Sequence, residues 1–156
     1  MKKLVTSILL FVLSAPAFSA TSGFFLLRTQ VPRRVSISVL PSAVASALDL
    51  STTQTNLKVA NATAMSNSKT GFKVTFTSAN RGNLKRISGA EVFPYSMKVD
   101  GLDVGLSTAT GTTFNIDQTA PMTISRDITI SYTGKPVETM LEGTYLDTVT
   151  LTIAAR

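Results

Sequence analysis

The chain has 156 residues with 15 basic and 9 acidic side chains, and it contains neither cysteine nor histidine. Those two absences remove disulfides, thiol nucleophiles, the softer metal ligands and the usual general base, which leaves catalysis to carboxylates, lysine or serine alone. The basic excess is mild, its blocks are short (Arg33-Arg34, and Lys85-Arg86 with Arg81 nearby), and no aromatics interleave with them, so nucleic acid is excluded as a partner.

Lys2 and Lys3, the apolar run Leu4 to Leu13 and the small residues Ala15, Ala17, Ser19 and Ala20 read as a secretory signal peptide over residues 1–19, cut after Ser19. An apolar run of about ten residues is roughly half of what a bilayer-spanning helix requires. Nothing downstream is long and apolar enough to span, so no membrane span is expected in the mature protein. Removing Lys2 and Lys3 leaves 13 basic against 9 acidic side chains, a net +4. The mature length suits one domain, which must close its core without disulfides or borrow apolar surface from a partner.

Residues 20–31 form an N-terminal extension and 32–156 a β-domain. Alternation at spacing two dominates the domain, and no sustained helical stripe competes with it. Val31, Val35, Ile37 and Val39 share one face of a first long segment, which Pro32 interrupts near its start. The only helical candidate, Pro41 to Leu50, is short. Leu57, Val59, Thr63 and Met65 outline a second strand. Phe72, Val74 and Phe76 outline a third, with Lys73, Thr75 and Thr77 facing water. Phe93, Tyr95, Met97 and Val99 continue the pattern, and Asp100-Gly101 predicts a tight turn before Leu102 and Val104. Phe114 and Ile116 suggest a short strand. Met122, Ile124, Ile128, Ile130 and Tyr132 hold one phase across Asp127. After a loop from Thr133 to Gly143, Tyr145, Val149, Leu151 and Ile153 share one face of a last strand, opposite Leu146, Thr148, Thr150 and Thr152. Seven or eight such strands predict an all-β antiparallel sandwich with one buried face per sheet.

Candidate chemistry is sparse. Asp100 and Asp103 resemble the start of a calcium loop, but the remaining ligands are missing, and a hairpin turn accounts for them. Glu138 and Glu142 could mimic a glycosidase pair, yet both fall in a loop. Asn61-Ala62-Thr63 matches a glycosylation acceptor inside a predicted strand. No catalytic residue, metal site or cofactor is expected, and the chain is not read as an enzyme. Asp147 shares the face of Tyr145 and Val149, where full burial would be costly. It is expected at the rim, accepting hydrogen bonds from a loop, and Tyr145 is expected as a packed ring with a tethered hydroxyl.

Three stretches, "FFLLRTQVPRRVSISV", "SNSKTGFKVTFTSAN" and "GTYLDTVTLTIAA", resemble the spore coat protein U domain and its relatives, the pilin subunits of archaic chaperone–usher systems. The resemblance lies in the Val31-Pro32 step into the first strand and in the closing motif Gly143, Tyr145 and Asp147 followed by Val149, Leu151 and Ile153. Members commonly carry a cysteine shortly after the Val-Pro step; Arg33, Arg34 and Val35 stand there instead. The resemblance implies an incomplete immunoglobulin-like antiparallel β-sandwich whose exposed apolar groove is filled by an extended segment from a chaperone or the next subunit. Phe25, Leu27, Thr29 and Val31 would be the donated strand, and Val149, Leu151 and Ile153 the acceptor edge. The implied protein is a periplasmic, then surface-exposed, fimbrial subunit that polymerises with like subunits, served by a periplasmic chaperone and an outer-membrane usher, in adhesion or biofilm. The residues leave two alternatives open: the extension folds into its own domain as part of one long first strand, or the chain is a secreted monomeric module that binds glycan or another envelope component.

Overall fold

The computed structural model describes residues 21–156, so the expected signal peptide, residues 1–19, lies outside the described residues. The chain divides at Val31/Pro32, and Pro32–Arg156 is a compact unit of its own.

Within that unit eleven strands form in chain order: β1 Val35–Pro41, β2 Gln54–Ser66, β3 Phe72–Ser78, β4 Asn83–Arg86, β5 Val92–Pro94, β6 Ser96–Val99, β7 Leu102–Val104, β8 Thr112–Ile116, β9 Met122–Tyr132, β10 Tyr145–Leu146 and β11 Val149–Ala155. All pairs are antiparallel. A five-stranded sheet in the order β1-β2-β9-β6-β7 and a three-stranded sheet β11-β3-β8 contribute the two faces of one core, and a small sheet β10-β4-β5 adds a third surface. This is the all-β antiparallel sandwich that the alternation predicts.

Phe72, Val74 and Phe76 are buried from β3 while Lys73 is exposed, as period-two patterning requires. Phe76 meets Phe114 of β8 edge to face at 5.8 Å between ring centroids, and Phe93 meets Tyr132 in the same manner at 5.7 Å. The β6–β7 hairpin turns through Asp100 and Gly101 with φ of 51° and 81°, the left-handed pair that a two-residue loop of this type needs.

Four expectations change. The first strand begins at Val35, so Val31 is not part of it; Pro32 lacks a donor, and the backbone after it is held by side-chain bonds from Asn67. The segment from Pro41 to Leu50 yields only a 3-10 turn over Ala43–Ser46. In β2 the inward set is Val59, Ala60, Ala62, Ala64 and Ser66, while Met65 is exposed and Thr63 only half-buried. Register shifts between Gln54 and Leu57 and between Lys58 and Ala60 explain this, because one extra residue in a strand flips every later side chain to the other face. Lastly, the closing strand is two strands: Tyr145–Leu146 pairs with Arg86 and Lys85, and Val149–Ala155 pairs with β3.

Candidate functional site

Each of the two larger sheets ends in a strand with one neighbour. Among the described residues β1 bonds only to β2, and β11 only to β3. The two lie on the same side of the sandwich and run in opposite directions, since the Arg33 guanidinium reaches the Arg156 carbonyl at 3.5 Å while Val39 and Pro41 share a cleft with Val149 and Leu151. No ladder joins them. The cleft has a volume of about 270 Å³. Val39, Pro41 and Leu48 form one lip and Val149 and Leu151 the other; Ala60, Met97 and Ile130 lie deeper, and Tyr95 and Asp147 stand at one end.

The three residues expected to form the acceptor edge, Val149, Leu151 and Ile153, are half-buried on the inward face of β11, with Thr150 and Thr152 exposed between them. An edge of this kind carries a row of backbone donors and acceptors that a further strand can satisfy. The small side chains of β2 deepen the space beneath it: Ala60 lines this cleft, and Ala62 and Ala64 line a second one of about 260 Å³ on the opposite side of the sandwich, between β7 and β8. At the second cleft Arg126, which falls in the inward phase of β9, forms an ion pair with Asp100.

The residues expected to form the donated strand are exposed. Phe25, Leu27 and Val31 are 82%, 84% and 78% exposed, Thr29 is exposed beside them, and residues 21–34 carry no strand.

Gly143, Tyr145 and Asp147 surround a point where the chain changes sheets. The Tyr145 hydroxyl donates to the Leu141 carbonyl at 2.9 Å. Gly143 has φ 143°, a conformation that L side chains rarely adopt, and a Cβ there would press on the Arg86 side chain at 3.1 Å. The Asp147 carboxylate accepts from the Ser78 hydroxyl at 2.5 Å, the Tyr95 hydroxyl at 2.6 Å, and the Asn80 and Thr148 amides at 2.9 and 2.8 Å. Ser78 ends β3, Asn80 lies in the turn to β4, and Tyr95 lies between β5 and β6. One carboxylate thus ties together three of the four places where the chain passes between the small sheet and its larger neighbours. The Tyr95–Ser78–Asp147 network is not visible in the sequence, because its members lie 17 or more positions apart and no local motif joins them.

Glu138 and Glu142 are exposed in the loop after β9, the first in a 3-10 turn over Val137–Thr139, and neither forms an ion pair among the described residues. Asn61 spends its amide on Asp127, and Asp103 faces Lys98 at 3.8 Å. No group of three or more potential metal ligands occurs among the described residues, and no helix there is long and apolar enough to cross a membrane.

No family model and no curated protein matches the sequence. Among solved structures the chain is similar to HdaB, the minor tip subunit of the E. coli Hda pilus. The two share 14% identity over 76% of this chain and 79% of that one, with a TM-score of 0.39. A likeness of this degree leaves function to be argued from the chain's own edges and cleft.

The tyrosines give the fold a signature in solution. Burial pushes the Tyr95 hydroxyl far above its ordinary value, and the Asp147 carboxylate adds to the shift; burial, then the charge of Asp49, raises Tyr132. A pKa raised on folding contributes stability that is fully present below the unfolded value and is lost as pH rises through the folded one. The domain is therefore expected to hold its stability up to about pH 10 and lose it above. Tyrosinate absorbance should rise together with loss of β-structure, and ionisation of all three tyrosines in a still folded domain would contradict this placement.

Proposed function

We propose that the chain is an exported, pilin-like structural subunit that assembles by donor-strand exchange into a surface fibre or coat, in adhesion or biofilm. In this reading residues 20–31 of one copy fill the β1/β11 cleft of the next. A periplasmic chaperone occupies the cleft until an outer-membrane usher directs the exchange. The resemblance to the spore coat protein U domain and archaic chaperone–usher pilins supplies the partners and the location.

One observation carries the reading: two unpaired edges, β1 and β11, flank an apolar cleft into the core. Cα atoms of β1 and β11 come within 8 Å of one another, so a strand entering the cleft must part the two edges to about 9.5 Å; it then has backbone partners on both sides, and each large apolar side chain it buries contributes about 1.5–3 kcal/mol. The same chain carries a candidate for it: Phe25, Leu27 and Val31 fall at odd positions of a segment that forms no strand of its own, and all three are exposed. A glycan-binding module would present an aromatic platform at its loops. Among the described residues the exposed rings are Phe24 and Phe25, both in the extension, while Tyr95, Tyr132 and Tyr145 are at least half-buried.

Deleting residues 20–31 from the mature protein tests the proposal. The truncated chain is expected to remain monomeric, and a synthetic peptide of those residues should raise its melting temperature by several degrees. Polymer formation by the truncated chain, or unchanged stability on adding the peptide, would sink the idea.

A further inference from the structure

The sandwich has two distinct ends. Strand β1 starts at one and β11 finishes there; Pro32, Arg33, Arg34, Asn67, Thr70 and Arg156 gather at this extension end, held by Asn67 to the Pro32 carbonyl at 3.0 Å and Arg33 to the Arg156 carbonyl. At the far end, β1 gives way to the Ala43–Ser46 turn, and the loop leading to Gly143 and Tyr145 packs beside it. The two ends differ in their unpaired charges, although Lys135 also stands in the far-end loop, its ammonium over the Phe93 ring at 5.3 Å. Arg33, Arg34 and Lys69 are exposed at or near the extension end, while Glu138 and Glu142 are exposed in the far-end loop, where the Arg86 guanidinium holds the Glu142 carbonyl at 3.1 Å. None of the five has an ion-pair partner among the described residues.

Strand polarity decides which ends meet. If the donated segment enters with Val31 toward the acceptor's extension end, two extension ends face one another, and two copies exchanging strands close into a dimer. If Val31 lies toward the acceptor's far end, the extension end of one copy meets the far end of the next, and the contact repeats without closing. A fibre requires the second arrangement. Only Pro32 separates Val31 from Arg33, so the two arginines then lie within about 7–10 Å of backbone from the cleft's far end. That is within side-chain reach of the loop bearing Glu138 and Glu142.

Resting on the donor-strand reading, we infer that Arg33 and Arg34 of one copy dock against Glu138 and Glu142 of the next. This end-to-end charge pairing orients the incoming subunit and speeds head-to-tail assembly. Rim charges of this kind act mainly on association rate and its salt dependence.

The test uses the full mature chain, with polymer growth followed by light scattering and gel filtration. Glu138→Lys with Glu142→Lys places cations opposite cations, and Arg33→Glu with Arg34→Glu places anions opposite anions. Each pair is expected to slow growth about tenfold at low salt, with the difference shrinking above roughly 0.5 M salt. The fourfold variant carrying both reversals restores attraction and should recover the parent rate, which a misfolded domain would not do. Growth of either half-reversed chain at the parent rate in low salt, or failure of the fourfold variant to recover, overturns the end pairing. The donor-strand reading is checked separately by adding the residue 20–31 peptide to each variant lacking its own extension. If the peptide stabilises them all while charge reversal has no effect, only the end pairing falls; if it stabilises none, both fall.

Discussion

Replacing Phe25 and Leu27 together by aspartate is expected to abolish polymer while leaving the Pro32–Arg156 domain folded, as stable as the chain that lacks residues 20–31. Both side chains are more than four-fifths exposed, so the domain loses no packing of its own when they change. In the proposed assembly each enters the acceptor's apolar interior. There an unpaired carboxylate costs several kcal/mol beyond the roughly 1.5–3 kcal/mol of lost burial. Two such changes exceed what a single donated strand can offset. The check is gel filtration of the double variant, together with a melting curve that matches that of the chain lacking residues 20–31. Single Thr29→Asp should be milder, because threonine brings little apolar area to the cleft.

The second large effect falls on the fold. Asp147→Ala removes the acceptor for two hydroxyls and two backbone amides at the junction of all three sheets. Hydrogen bonds to a charged group are worth about 1.5–3 kcal/mol each, and their losses do not add in full, so a net cost of about 3 kcal/mol is expected. Asp147→Asn keeps one acceptor oxygen and should recover part of it. Chemical denaturation checks both, and the alanine variant should also bring the Tyr95 hydroxyl back toward its ordinary range, since the carboxylate contributes to its shift. A loss below about 1 kcal/mol would show that the junction is held by packing alone.

The alternation of apolar residues placed most of the strands, because period-two patterning is a local signal that burial enforces. It read β3, β6 and β9 in the right phase: Phe72, Val74, Phe76, Met97, Ile128, Ile130 and Tyr132 are all buried. It misjudged β2, where bulges transfer the inward role from Thr63 and Met65 to three alanines. A row of alanines carries almost no hydrophobic signal, yet it leaves room in the core, Ala60 beneath the β1 and β11 edges and Ala62 and Ala64 at the second cleft. The break at Asp147 was hidden for a different reason. Tyr145 and Val149 keep the same phase through it, so the sequence reads as one strand, although the backbone leaves the small sheet for the larger one. The cleft itself is a property of which edges stay unpaired. No single segment encodes that, and it emerges only from strand order.

Tyr145 to Ile153, which reads in the sequence as one strand, is thus a short strand of the small sheet, a carboxylate anchor and an edge. The edge has one partner, β3, and its other side borders the cleft.

The absence of cysteine gives a direct way to ask whose strand lies there. With Thr150→Cys on the exposed face of β11 and a second cysteine at Arg28 or Gln30, oxidation joins the extension to whichever edge it occupies. The donor-strand account predicts a ladder of interchain disulfide-linked species on a non-reducing gel, lost on reduction. A single monomeric band with an intrachain bridge would contradict it, and would mean that the extension completes its own sandwich.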